Sequence, residues 1–375
     1  MIAMFKPELQ SFKDLALSFA KKELAPNRES NDRYPFGPFF DECLSRAWEV
    51  GFLGITLPED LGGTGQGIGE LCVILDCICR ADASLGGIIF TNALSQEIIL
   101  KAGGSELLGR VFLNARDARD SLIALPSLNN PSEISHVAEA RKENGSYLLS
   151  GAVEYVVLGG LAPRALIPGR IQGSGYSYFL VDLKDKGVSA SEPVLSLGLH
   201  ACPAVDLTLE GVKAELVGME GEGAGYFAQA SDRMQVAAAA MSLGIMKGSF
   251  DEACEYAKTR FQGGREIVNW SELRMMLAEM AIRIKVSDLA LAAACRAVEA
   301  QETDWVLCSR AAAIHIQSLA CELTTDGIQA LGGYGYMQDY GQEKRFRDAK
   351  HIQSLLGLVP MKKLRYIDTV LEQQS

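Results

Sequence analysis

The stretch Asp326–Gly357, DGIQALGGYGYMQDYGQEKRFRDAKHIQSLLG, joins an apolar helical end to a glycine-tyrosine turn and a dense charged segment. Just before and within it, Ile316, Leu319, Leu323, Gly327 and Leu331 recur at three- and four-residue spacing, which predicts one buried helix face. Gly332-Gly333 stops that helix, because glycine takes the left-handed cap without a Cβ clash and lets backbone approach a ligand. A helix rather than a strand precedes the pair, so it does not fit a GxGxxG dinucleotide turn.

The run GIQALGGYGYMQDYGQEKRFRDAK closely resembles the signature near the C-terminus of acyl-CoA dehydrogenases. That resemblance implies FAD, oxidation of an acyl-CoA to its trans-2-enoyl-CoA, and a place in the breakdown of fatty or aromatic acids. It implies an α+β fold: an N-terminal α-helical domain, a central small antiparallel β-domain and a C-terminal four-helix bundle. The family continues with Tyr-Glu-Gly-Thr, whose Glu is the catalytic base. This chain instead has Leu355-Leu356-Gly357-Leu358, so Leu356 replaces the base.

Working outward, 375 residues suffice for two or three domains around a shared core. A hydrophobic content of 48% and a charged content of 22% are those of ordinary globular proteins. The net charge of −11 repels phosphate backbones and anionic lipid, so neither nucleic acid nor membrane is an expected partner. Nine cysteines lie scattered without a CxxC pair, which points to a reducing cytoplasm. His136, His200, His315 and His351 form no HxxxH or HExxH spacing, and no metal site is expected. The N-terminus carries charges through an amphipathic pattern with no signal-peptide core, and the longest apolar stretch, Val236 to Met246, is too short to span a bilayer.

The pattern predicts helices over residues 1–118, a β-domain over 119–216 and helices over 217–375, with no parallel pairing and no strand beyond 230. Phe12, Leu15, Phe19 and Leu24 mark the first helix, stopped at Pro26. The loop GFLGITLPEDLGGTGQG resembles the family's loop near the acyl pocket; alone it reads as an interhelix turn. Short β-rich runs follow, such as Tyr155-Val156-Val157 and Val205 to Leu209. Where the family places Thr-Glu-Pro-Gly and Trp-Ile-Thr against the flavin, this chain has Ala124 to Ser127 and Tyr155 to Val157. The resemblance therefore carries flavin contacts to Ser127, Tyr155 and Val157 without the threonine hydroxyls.

The resemblance assigns the FAD pyrophosphate to Arg260, at the end of an alanine-rich helix predicted over Ser231–Thr259. A planar fork suits phosphate, and a helix-end cation favoured by the dipole is the structural alternative. Gln329, Gly332 and Gly333 match positions that cradle FAD, in many members from a neighbouring subunit, which implies a homotetramer or a heterotetramer with a related subunit. Some members carry their base at the start of the long bundle helix, and Asp232 stands there; a first-turn acid favoured by the helix dipole is the other reading. Leu273, Leu277, Met280 and Ile284 predict a bundle-facing stripe on the next helix, and Leu364, Ile367 and Leu371 form an apolar stripe on the last. Three functions follow: an FAD-dependent dehydrogenase passing electrons to an electron-transfer flavoprotein, a catalytically deficient partner subunit of a heteromeric dehydrogenase, or a flavin-dependent oxygenase.

Overall fold

The computed structural model describes residues 7–133, 137–143 and 145–372. His136 lies outside them. Helix α1 (Pro7–Phe19) runs through a π-helical turn, Ala20–Leu24, toward the short α2 (Arg28–Asn31). Phe19 and Leu24 are buried as their spacing predicts, but Ala16 is buried and Leu15 exposed. Ala16, four residues after Phe12 and three before Phe19, keeps the regular 3.6-residue face, and the wider π turn carries that face on to Leu24. Then come α3 (Cys43–Glu49), α4 (Ile68–Ala81), α5 (Ala83–Lys101) and α6 (Ser105–Phe112). Asp82 caps α5 by accepting the Ser84 N–H at 2.9 Å. By length and composition α5 could cross a membrane, yet its most apolar window is 94% buried inside the fold. It packs on β1 and on the long helix of the C-terminal half.

The sheet comprises β1 (Ile123–Pro126), β2 (Ala138–Glu143), β3 (Ser146–Val157), β4 (Arg164–Ile171), β5 (Tyr176–Asp182), β6 (Val188–Ala190) and β7 (Ala204–Val217). Strand β2 pairs with β3, β3 with β7, β7 with β5, β5 with β4, and β4 with β2, so five strands close a ring. The expected purely antiparallel sheet needs correction, because β1 and β2 both run parallel to β4. A ring of five strands cannot alternate direction all the way round, so at least one parallel neighbour is unavoidable.

The C-terminal half holds α7 (Gly223–Thr259), α8 (Ser271–Ala300), α9 (Trp305–Leu331), α10 (Gln342–Ile352) and α11 (Val359–Glu372). Helix α7 packs against α4, α5, α8, α9 and α10, and its Val236–Met246 stretch is fully buried. It begins at Gly223, eight residues before the predicted start. A Cβ on Gly223 would lie 2.5 Å from the Tyr176 ring, so this glycine seats the helix start on β5 rather than making a turn. Two further expectations fail. A two-residue hairpin, β8 (Phe261–Gln262) with β9 (Arg265–Glu266), follows α7 despite the prediction of no strand beyond 230. Gly263 and Gly264 make its tight turn with φ of 68° and 88°, and arms this short leave no alternation to read. Gly332 ends α9 with φ 58° and ψ −133°, a conformation open essentially to glycine alone but not the left-handed cap.

Candidate active site

Two clefts meet at the junction of sheet and bundle. The first, about 250 Å³, is lined by residues of α7, α9 and α11 and the adjoining loops, among them Ser231, Asp232, Gln235, Arg310, Leu356 and Lys362. The second, about 370 Å³, is lined by Ser127, Leu128, Asn129, Tyr155, His351 and Leu355, with Ser196, Leu197, Lys350 and Ser354. One wall separates them. Its halves are latched together: the Leu356 N–H donates to Leu128 O at 3.1 Å, and the Gly357 N–H to Asn129 Oδ1 at 2.8 Å. Ser127, Leu128, Tyr155 and Leu356 all hold left-handed φ, between 49° and 62°. Each such non-glycine residue costs roughly 1–2 kcal/mol, so the packing on both sides holds this junction in place.

In the first cleft, the Asp232 carboxylate lies in a two-point fork: Arg310 Nε to Oδ1 at 2.8 Å and Nη2 to Oδ2 at 3.0 Å. Burial raises the Asp232 pKa and outweighs the opposing effect of Arg310. Asp232 is the tenth residue of α7, so the reading as a first-turn acid is corrected. Ser309 Oγ donates to Asp232 O at 2.7 Å, and Arg310 also reaches Thr369 Oγ1 at 2.8 Å, tying α7, α9 and α11 together. Arg365 is ion-paired with Glu133. Gln235, nearly fully buried, has its Oε1 without a partner among the described residues.

In the second cleft, a register shift in β3 between Val153 and Val156 re-aims Tyr155. Its N–H donates to Asp206 Oδ1 at 2.8 Å, and its carbonyl accepts the Ser127 N–H at 2.9 Å. His351 Nδ1 faces Gly198 O at 2.9 Å, and Nε2 lies 3.4 Å from the Tyr155 hydroxyl. Burial lowers the His351 pKa, so the neutral ring donates from Nδ1 and accepts at Nε2. The Ser127 Oγ is buried without a partner among the described residues. Val157 is buried in β3, paired with Leu125 and Ala204, and lines neither cleft.

Arg260, Gln329, Gly332 and Gly333 line neither cleft. They form a separate corner: the Arg260 guanidinium stands 5.2 Å from the Tyr334 ring centroid, inside a cluster of Tyr256, Tyr334 and Tyr340. Its Nε is buried without a partner among the described residues. A Cβ on Gly332 or Gly333 would meet nothing within 4 Å. The loop Gly51–Gly67, which the resemblance places near an acyl pocket, lines neither cleft. Sequence reasoning missed Arg310, Gln235, Lys362 and His351, since each reads as an ordinary polar residue on a helix. Among the described residues no group of three or more His, Cys, Asp or Glu could hold a metal ion.

These residues fit a flavin at three points: an orphaned guanidinium nitrogen over an aromatic ring, an open glycine turn, and an orphaned serine hydroxyl beside Tyr155. Two family models match the chain, "Acyl-CoA dehydrogenase, N-terminal domain" over residues 6–112 and "Acyl-CoA dehydrogenase, C-terminal domain" over 221–358. The chain is 28% identical over 349 residues to a probable acyl-CoA dehydrogenase, fadE25, of Mycobacterium leprae, covering 91% of this chain and 89% of that one. It is 27% identical over 356 residues to the caffeyl-CoA reductase–Etf complex subunit CarC of Acetobacterium woodii, covering 92% and 93%. The solved structure of butyryl-CoA dehydrogenase from Megasphaera elsdenii superposes with a TM-score of 0.87 at 23% identity, covering 99% of this chain and all of that one.

Proposed function

This chain belongs to the acyl-CoA dehydrogenase family, and from that premise we propose that it is an FAD-dependent oxidoreductase acting on an acyl-CoA thioester. The thioester and the pantetheine arm of CoA enter the first cleft, and the flavin ring enters the second. The observation that carries this reading is the pair of adjoining clefts, each with a buried polar atom lacking a partner among the described residues: Gln235 Oε1 in one, Ser127 Oγ in the other. An amide N–H of pantetheine satisfies the first, and a flavin ring acceptor the second. When bound, FAD supplies the acceptor for the hydrogen lost from the β carbon. Arg260 holds the pyrophosphate, and Tyr155 offers the ring an aromatic wall. The exposed Gln329 side chain and the open backbone of Gly332 and Gly333 face the FAD of a neighbouring subunit. Asp232, bound on both oxygens, fixes Arg310 across the cleft instead of serving as a free base. The Acetobacterium relative, named as part of an Etf complex, supports an electron-transfer flavoprotein as the electron acceptor.

A second reading has a specific observation behind it. The sequence resemblance puts Leu356 in the place of the family's carboxylate, and the N–H groups of Leu356 and Gly357 are held by Leu128 and Asn129. This favours a subunit that completes a partner's flavin site. Protein purified alone should be yellow and bleach anaerobically with an acyl-CoA. Arg260→Ala should lose flavin on gel filtration where Lys258→Ala keeps it. Colourless protein that turns yellow only with a related subunit favours the second reading, and equal flavin retention in the two variants makes Arg260 a helix-end charge.

A further inference from the structure

We propose that Lys362 is the proton acceptor of the first cleft, taking the proton from the carbon α to the thioester in place of the carboxylate that position 356 lacks. The inference rests on the acyl-CoA reading above. Lys362 is the fourth residue of α11, almost fully buried, and lines the cleft with Leu356. Its side chain lies against the turn that carries Leu356: a Cβ on Gly357 would sit 3.6 Å from Lys362 Cγ and 3.8 Å from Cε.

The amine is placed by a rigid partner. Lys362 Nζ donates to Gln317 Oε1 at 2.8 Å, and that oxygen is fixed because Gln317 Nε2 donates to Ile352 O at 2.8 Å. A longer contact reaches Gln353 O at 3.5 Å. These two use two of the tetrahedral positions on nitrogen, and the third has no protein partner among the described residues. The other cations of the cleft are paired, Arg310 with Asp232 and Arg365 with Glu133. An ammonium at position 362 would therefore be a buried charge without a counter-ion, which proteins avoid by shedding the proton. Burial brings its pKa down to about 7. The charged groups sharing the cleft are Asp232 from α7, Arg310 from α9 and Arg365 from α11.

A free amine has the lone pair that the reaction needs. The Cα–H bond breaks, an N–H bond forms at Lys362, and the electron pair moves onto the thioester oxygen as an enolate. No other reactant enters this step. Asp232 is a poorer acceptor, because burial raises its pKa but the Arg310 fork holds both of its oxygens and leaves neither free for an incoming proton.

The test uses full-length protein and straight-chain C4 to C12 acyl-CoAs carrying deuterium at Cα, with wash-out into water followed by mass spectrometry. Wash-out by the wild type should rise with pH through a midpoint near 7. Lys362→Gln should lose about 10²–10⁴-fold, while Lys363→Gln matches the wild type. Lys362→Ala should be rescued by added ethylamine in proportion to its unprotonated fraction, which a merely structural lysine would not show. A readout independent of flavin is ¹³Cε-lysine NMR: one resonance titrating near neutrality should vanish in Lys362→Gln. Unchanged wash-out in Lys362→Gln, or loss in Asp232→Asn alone, overturns the proposal. Wild-type protein that binds these acyl-CoAs without wash-out overturns it and leaves the acyl-CoA reading standing, whereas absence of binding overturns both.

Discussion

His200 shows how one side chain sets a pH window for the fold. Its Nδ1 donates to Asp32 O at 2.9 Å, its Nε2 to Ser196 O at 2.9 Å, and Nδ1 lies 3.1 Å from Asp32 Oδ1. A ring that donates from both nitrogens is protonated. The Asp32 carboxylate, against the opposing effect of burial, pushes the pKa of His200 up from 6.5 to about 9. Burial alone would raise Asp32, but His200, Lys344 and Arg347 hold it down at about 2 instead of 3.8. The two groups bound the window from opposite sides. A raised histidine pKa stabilises fully below pH 6.5 and loses that contribution as pH climbs through about 9; a depressed carboxyl stabilises above pH 3.8 and loses it as pH falls through about 2. Urea midpoints of the wild type should fall between pH 6.5 and 9, and those of His200→Gln should change less across that range. Parallel curves for the two would mean that His200 is not charged in the folded protein.

At the scale of elements, α7 explains why a helix built on alanine tolerates glycine. Five helices press on it, and Gly244 and Gly248 lie where α4 comes closest. A Cβ on Gly248 would stand 2.1 Å from Arg345 Nη1 and 2.3 Å from Arg80 O, while one on Gly225 would find only Glu222 Oε2 at 3.9 Å. Helix propensity alone favours alanine over glycine by about 1 kcal/mol at either site. At Gly248 the carbonyl of α4 cannot move aside, so overpacking costs about 1–3 kcal/mol and reverses the sign. Thermal denaturation should therefore show Gly248→Ala below the wild type and Gly225→Ala level with it or slightly above. A stabilised Gly248→Ala would mean that α4 and α7 are less tightly seated than described.

At the scale of the molecule, the predicted stripes on α8 and α11 divide. Leu277 and Met280 of α8 are buried in the bundle as their spacing predicts. The stripe of α11 faces outward, with Leu364, Ile367 and Leu371 exposed, and so does the opposite face of α8 with Met275, Ile282, Val286 and Leu289. Exposed apolar faces of this extent mark an association surface. Sedimentation should give a mass well above the 40.5 kDa of one chain, and Ile282→Glu with Val286→Glu should lower it. A wild-type monomer at micromolar concentration would remove the oligomer from the proposed function.

The features legible without the fold are local: helix from sheet, where the long helices end, and a signature dense enough to mark the family. These follow from short-range periodicity and from glycine chemistry, which need no partner to be read. The expectation that Leu356 stands in place of a carboxylate also comes from the sequence alone, since residue identity at one position needs no fold to be read. The direction of β1 and β2 against β4 was not legible, because closure of a ring is a property of the whole sheet. Nor was the start of α7, since Gly223 answers to Tyr176 some fifty residues away. The same holds for the site. Asp232 has the sequence of an available acid, and only tertiary structure brings Arg310 from α9 onto both its oxygens. Lys362, one of two adjacent lysines, carries no signal of its own; only packing buries it, sets Gln317 against it, and leaves it lining the cleft beside Leu356.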